Sequence, residues 1–288
     1  MKTYQIVTDA IIKKLKEGTV PWHKPRVGGG APRNLISRKV YRGINYWMLA
    51  TSEYTTSYLA THNQLKKIGG YVKKGQKATV VVFWKPLNSI NVTDNEEEET
   101  TVVKKKGFML RHYHVFNLDQ CWVPDRVLKK LTKTEMVKGA GINKKCQAII
   151  DGFKDAPSIN KGNKACYNPK TDTVTMPLKK SFESTTDYYD VLFHEYAHST
   201  GHKSRLNRKE VMNNNFFGSE DYSKEELVAE MTSAFLCNEA GILDRTVDNS
   251  VAYIKSWIQV FKDDPKMVIL AGGSAQKAAD HILEKQNA

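Results

Sequence analysis

His194, Glu195 and His198 stand in the run His194-Glu195-Tyr196-Ala197-His198. On a helix, residues four apart lie one above the other on the same face. Two imidazoles placed this way reach a single Zn²⁺ at about 2.0–2.1 Å. Glu195 follows the first of them, where a carboxylate takes a proton from a water polarised by the metal and passes it to a leaving amine. The spacing therefore predicts a zinc-hydrolase site with His194 and His198 as ligands and Glu195 as the catalytic base. Its surroundings support it. Tyr189, Leu192, Phe193, Tyr196 and Ala197 make the segment an apolar core helix, and histidines buried there need partners.

A third ligand is required. The extended pattern HExxHxxGxxH finds its glycine at Gly201, but Ser204 stands where a histidine would be and His202 comes two residues early. The alternative is a glutamate from the next helix, where Glu225, Glu226 and Glu230 are candidates. Glu226 and Glu230 share a helical face, and Glu225 is rotated by about 100°. In glutamate-type zinc sites the first acid of such a pair binds the metal and the second orients a histidine. That mapping gives Glu226 as ligand and Glu230 in support. Ser223 and Glu226 are also spaced as a capping box, in which Glu226 only closes the helix N-terminus.

Elements must position these groups. Ser184 reads as the cap of the His194 helix, and Ser223 to Glu239 as the helix carrying the glutamates. Lys164–Asn168 and Thr173–Met176 read as short strands about a turn, the second an edge strand open to an extended peptide. Upstream, a first helix places Tyr4, Val7, Ile11 and Leu15 on one face. Ala78–Trp84 and Gly107–Phe116 read as a hairpin with a long charged tip at 88–106. The fold class is α+β. A first α+β unit with the hairpin spans 1–125, and a metallopeptidase-type unit spans 126–288.

Hydrophobic residues make up 40% of the 288 and charged residues 26%, as in a water-soluble globular chain. No apolar run approaches a membrane span or a signal-peptide core, so no membrane partner and a cytoplasmic location are expected. Cys121, Cys146, Cys166 and Cys237 are scattered, so all four are expected to be buried, reduced thiols.

The net charge of +13 is lopsided. Residues 1–125 hold 20 Lys and Arg against 10 Asp and Glu; residues 126–288 hold 24 against 21. Basic residues interleave with aromatic ones: Arg33, Arg38 and Arg42 near Tyr41, Tyr46 and Trp47, then Lys66, Lys73, Lys74 and Lys77 around Tyr71. Cations neutralise phosphates and rings stack on unpaired bases, so single-stranded nucleic acid fits better than duplex. Arg33, Arg38, Arg42, Tyr46, Lys66, Lys73, Lys74 and Lys77 are the candidate contacts.

Longer stretches resemble the ArdC-type antirestriction family. They are Pro32-Arg33-Asn34, Tyr41-Arg42-Gly43-Ile44-Asn45, Gly69-Gly70-Tyr71-Val72-Lys73-Lys74-Gly75 and, past the histidines, Ser204-Arg205-Leu206-Asn207-Arg208. The resemblance implies an N-terminal single-stranded-DNA-binding domain and a C-terminal zincin-like metallopeptidase domain. It implies protection of incoming mobile-element DNA from host restriction, with Zn²⁺ or another divalent metal bound and an unknown peptide substrate. The alternative is a non-catalytic DNA-binding protein whose zinc site is structural.

Overall fold

The computed structural model describes residues 2–22, 31–50, 54–86, 108–131, 142–212, 220–242 and 251–284. The hairpin tip expected at 88–106 lies outside the described residues.

Helix α1 (Lys2–Lys16) buries Val7, Ile11 and Leu15, the face its periodicity predicts. Then come β1 (Arg33–Asn34), α2 (Ile44–Ala50), β2 (Tyr58–Ala60), α3 (His62–Lys67), β3 (Tyr71–Val72), β4 (Thr79–Pro86), β5 (Phe108–Asn117) and β6 (Cys121–Trp122). Four strands form a sheet in the order β1-β2-β5-β4, and β3 pairs with β6 in a separate ribbon. The hairpin is antiparallel, in register from Thr79↔Val115 to Pro86↔Phe108. Its alternation sends Val81 and Val115 against Tyr41, Leu49 and Leu59, and Val82 and Leu110 into the largest core. Asn45 from α2 donates to Val82 O and accepts from Val82 N–H, both at 2.7 Å. One side chain thus satisfies both backbone groups that β4 presents there.

The second half holds α4 (Asp125–Leu131), α5 (Ile142–Gly152), β7 (Ser158–Lys161), β8 (Cys166–Asn168), β9 (Thr173–Met176), α6 (Thr185–Ser199), α7 (Lys209–Met212), α8 (Glu220–Ala240), α9 (Val251–Asp263) and α10 (Met267–Ile282). Strand order is β7-β9-β8. β9 is therefore the central strand, parallel to β7 and antiparallel to β8. This corrects the edge-strand expectation for Thr173–Met176: both its ladders are taken. Helix α8 starts at Glu220, so Ser223 sits inside the helix rather than at its cap. Glu226 is therefore not the closing residue of a capping box.

The largest apolar cluster draws on both halves. Ile11, Leu15 and Trp47 join Phe235 of α8, Phe261 of α9 and Met267 of α10. Arg42 pairs with the buried Asp280 of α10. Gly272 lets α10 approach α2, since a Cβ there would meet Ile44 N at 2.9 Å. Cys121, Cys146 and Cys237 are buried free thiols, whereas Cys166 is exposed on β8, at variance with four buried cysteines. Among the described residues no helix is long and apolar enough to cross a membrane.

Candidate functional site

Two helices build the metal-ligand constellation. Ser184 caps α6: its hydroxyl accepts from Asp187 N–H, and Asp187 returns a bond to Ser184 N–H at 2.9 Å. Leu192, Phe193 and Tyr196 pack into the shared core with Leu227 and Met231 of α8. That packing leaves the His194–His198 flank of α6 facing Glu226. The two Nε2 atoms lie 3.0 Å apart. Glu226 Oε2 is 3.6 Å from His194 Nε2, and Oε1 is 3.5 Å from His198 Nε2. One donor atom from each of the three falls within 4.8 Å of the others. With nitrogen and carboxylate ligands at about 2.0–2.2 Å, one ion reaches donors spaced this closely. The donor set, two imidazoles and a carboxylate, suits zinc and other divalent first-row metals. Glu195 is buried beside His194.

The group that fixes His198 is Glu225. Its Oε1 lies 3.2 Å from His198 Nδ1, which turns Nε2 toward Glu226. Arg208 holds Glu225 in a fork, Nε to Oε2 at 2.9 Å and Nη2 to Oε1 at 2.6 Å. The same guanidinium donates to Thr200 Oγ1 and to Ala197 O at the end of α6. Arg205 does similar work nearby. It donates to Ser199 O at 2.7 Å and pairs with Asp172 in the β8–β9 turn, tying that turn to α6. Sequence reasoning placed neither arginine. The carboxylate bonded to a histidine ring is Glu225 rather than Glu230, the expected support, whose charge raises the His194 pKa.

Charge in the site favours a cation. Burial opposes a proton on His194, but the Glu226 carboxylate beside its Nε2 and the charges of Glu230 and Glu195 outweigh it, so its pKa is pushed up to about 9. Burial would raise Glu225, but Arg208 and His198 hold it below the usual carboxylate value. The site thus gathers negative charge around two imidazoles, as a divalent cation requires.

The chain is similar to known proteins over both halves. Residues 1–116 match the family model "N-terminal domain of anti-restriction factor ArdC", and 145–274 match "Zincin-like metallopeptidase". The metal-free structure of the antirestriction ArdC protein from R388 plasmid is 34% identical, with a TM-score of 0.76 over 99% of this chain and 97% of that one. The chain belongs to the ArdC antirestriction family. The Mn(II)-bound structure of the R388 protein matches with a TM-score of 0.73. A DNA primase TraC of Escherichia coli is 32% identical over 97% of this chain, but the chain spans only 20% of that relative's length.

In this ArdC family member the candidate nucleic-acid residues scatter. Tyr46 is corrected: it is 6% exposed, with its ring against Trp47 at 4.7 Å and Phe235 at 5.4 Å, so it offers no face to a base. Arg42 is engaged by Asp280. Arg33 and Arg38 both reach the Tyr58 ring, at 6.0 Å and 5.1 Å from its centre. Lys66, Lys73, Lys74 and Lys77 are exposed, near the β3–β6 ribbon. Sequence reasoning overlooked Trp122, which lies directly across that ribbon from Tyr71. A lone tryptophan in a two-residue strand carries no period to reveal it.

Proposed function

We propose that this chain is an antirestriction protein that binds single-stranded DNA through its basic N-terminal half. In this reading His194, His198 and Glu226 hold a divalent metal, zinc first among candidates, in a metallopeptidase-type site. The convergence of those three donors from two helices carries the proposal. The relative with Mn(II) bound supports it. The cation, when bound, supplies Lewis acidity, polarising a carbonyl and acidifying water. Glu195 takes the proton of the attacking water on its carboxylate and delivers it to the leaving amine. Glu225, clamped by Arg208, keeps His198 Nε2 directed at the site. The substrate is a protein or peptide met in the cytoplasm, and the effect is to shield incoming mobile-element DNA from restriction.

A second reading makes the metal a staple. The donors join α6 to α8, two core helices, so an ion there would also stiffen the fold, and DNA binding alone would protect. Glu195→Ala separates the two in a plasmid-transfer assay into a restricting host. Loss of protection with metal still bound supports catalysis; full protection supports the staple.

A further inference from the structure

Two aromatic rings stack on one another on the small ribbon of the N-terminal half. Tyr71 and Trp122 are direct partners across β3 and β6. They are 55% and 47% exposed. Their ring centres are 5.3 Å apart and their planes differ by 20°. Strand alternation explains why they point out. Val72, Cys121 and Val123 turn inward to Tyr58 and Leu65, which leaves Tyr71 and Trp122 on the other face. Gly70 presses against this ribbon, since a Cβ there would meet Trp122 O at 2.7 Å.

Exposed cations occupy the elements that flank the pair. Lys66 and Lys67 end α3, Lys73, Lys74 and Lys77 follow β3, and Arg126 lies in α4; all are exposed. Lys73 Nζ donates to Asp119 O at 3.0 Å, and Arg126 Nη2 to Ile68 O at 3.1 Å, so both are held beside the ribbon. Asp119 just before β6 and Asp125 at the start of α4 are the acids adjoining the ribbon in sequence among the described residues. The Asp119 carboxylate is occupied by the Thr55 hydroxyl at 2.9 Å and by Thr55 N–H. Single exposed aromatics are ordinary; a parallel pair framed by six cations is a surface with a matching ligand. Phe83 and Tyr113 are also exposed, but their planes differ by 65° and they meet edge to face rather than as a stack.

We propose that the outer faces of the stacked Tyr71–Trp122 pair are the platform on which unpaired bases of single-stranded DNA stack and so extend the stack, with phosphates following the lysines and Arg126. The proposal rests on the single-stranded-DNA reading above and names where that binding occurs. Duplex bases already stack on one another, so the platform selects single strands.

The test is anisotropy of a labelled oligothymidylate titrated with the whole chain at several salt concentrations. Trp122→Ala and Tyr71→Ala each weaken binding by roughly fivefold to hundredfold, the range for loss of a stacked ring. The salt slope stays unchanged, and Trp122→Phe recovers most of the affinity. Lys73→Ala with Lys74→Ala lowers the slope by about 1.4 instead. Circular dichroism and melting temperature of the ring variants match wild type, so the loss reads contact. If wild type and ring variants bind alike, the platform is overturned while the DNA reading stands. If wild type shows no salt-sensitive binding, the DNA reading fails and the platform falls with it.

Discussion

The residue that most changes the picture of the site is Glu225. It holds His198 and is itself gripped by Arg208 on two atoms. Glu225 is buried and Arg208 nearly so, so removing the arginine leaves a buried carboxylate without its cation. Arg208→Ala is expected to destabilise the protein by about 3 kcal/mol and to weaken metal binding by roughly 10–100-fold. Thermal melting and chelator competition read the two effects; an unchanged metal affinity would remove Glu225 from its positioning role. The pH dependence follows from His194. Its proton, stabilised up to about pH 9 by the surrounding carboxylates, must leave before a metal binds. Affinity should therefore rise roughly tenfold per pH unit up to about 9. The sign reverses for stability of the metal-free protein. The contribution of protonated His194 is full below its ordinary pKa of 6.5 and is lost as pH rises through about 9. The HExxH spacing was legible because helix geometry alone brings its histidines together. The choice among Glu225, Glu226 and Glu230 depends on which flank of α8 meets α6, and no local spacing encodes that. Arg208 reaches its partner through the turn after α6, which hides it further.

Among elements, long amphipathic helices and the β4–β5 hairpin were readable because their periods run for many residues. The two-residue strands β1, β3 and β6 are too short to show a period. The central place of β9 is a matter of topology, set by which strands pair rather than by its own alternation. Asn45 illustrates an element joined to another by one side chain. Asn45→Ala strands a buried N–H and a buried C=O on Val82, a loss of about 2–6 kcal/mol at typical penalties per orphaned group. Urea unfolding of the variant measures this, and a change within error would show that water or a neighbour replaces the amide.

At the scale of the whole molecule, charge asymmetry divided the chain more sharply than packing does. Composition cannot tell an inward aromatic from an outward one, which is why Tyr46 read as a DNA contact and Trp122 passed unnoticed. The shared core joins α1 and α2 to α8, α9 and α10. Gly272→Ala drives a methyl into the Ile44 backbone and is expected to cost roughly 1–3 kcal/mol. Near-ultraviolet dichroism and metal release should then shift together, as one transition. Two separate transitions would show the halves unfolding independently. The central claim, a metal held by His194, His198 and Glu226 beside a catalytic Glu195, is tested most directly by calorimetric titration of the metal-free chain with Zn²⁺. One ion should bind per wild-type chain and per Glu195→Gln chain, whereas Glu226→Gln should lose most of the affinity. Wild-type binding by Glu226→Gln would contradict the account.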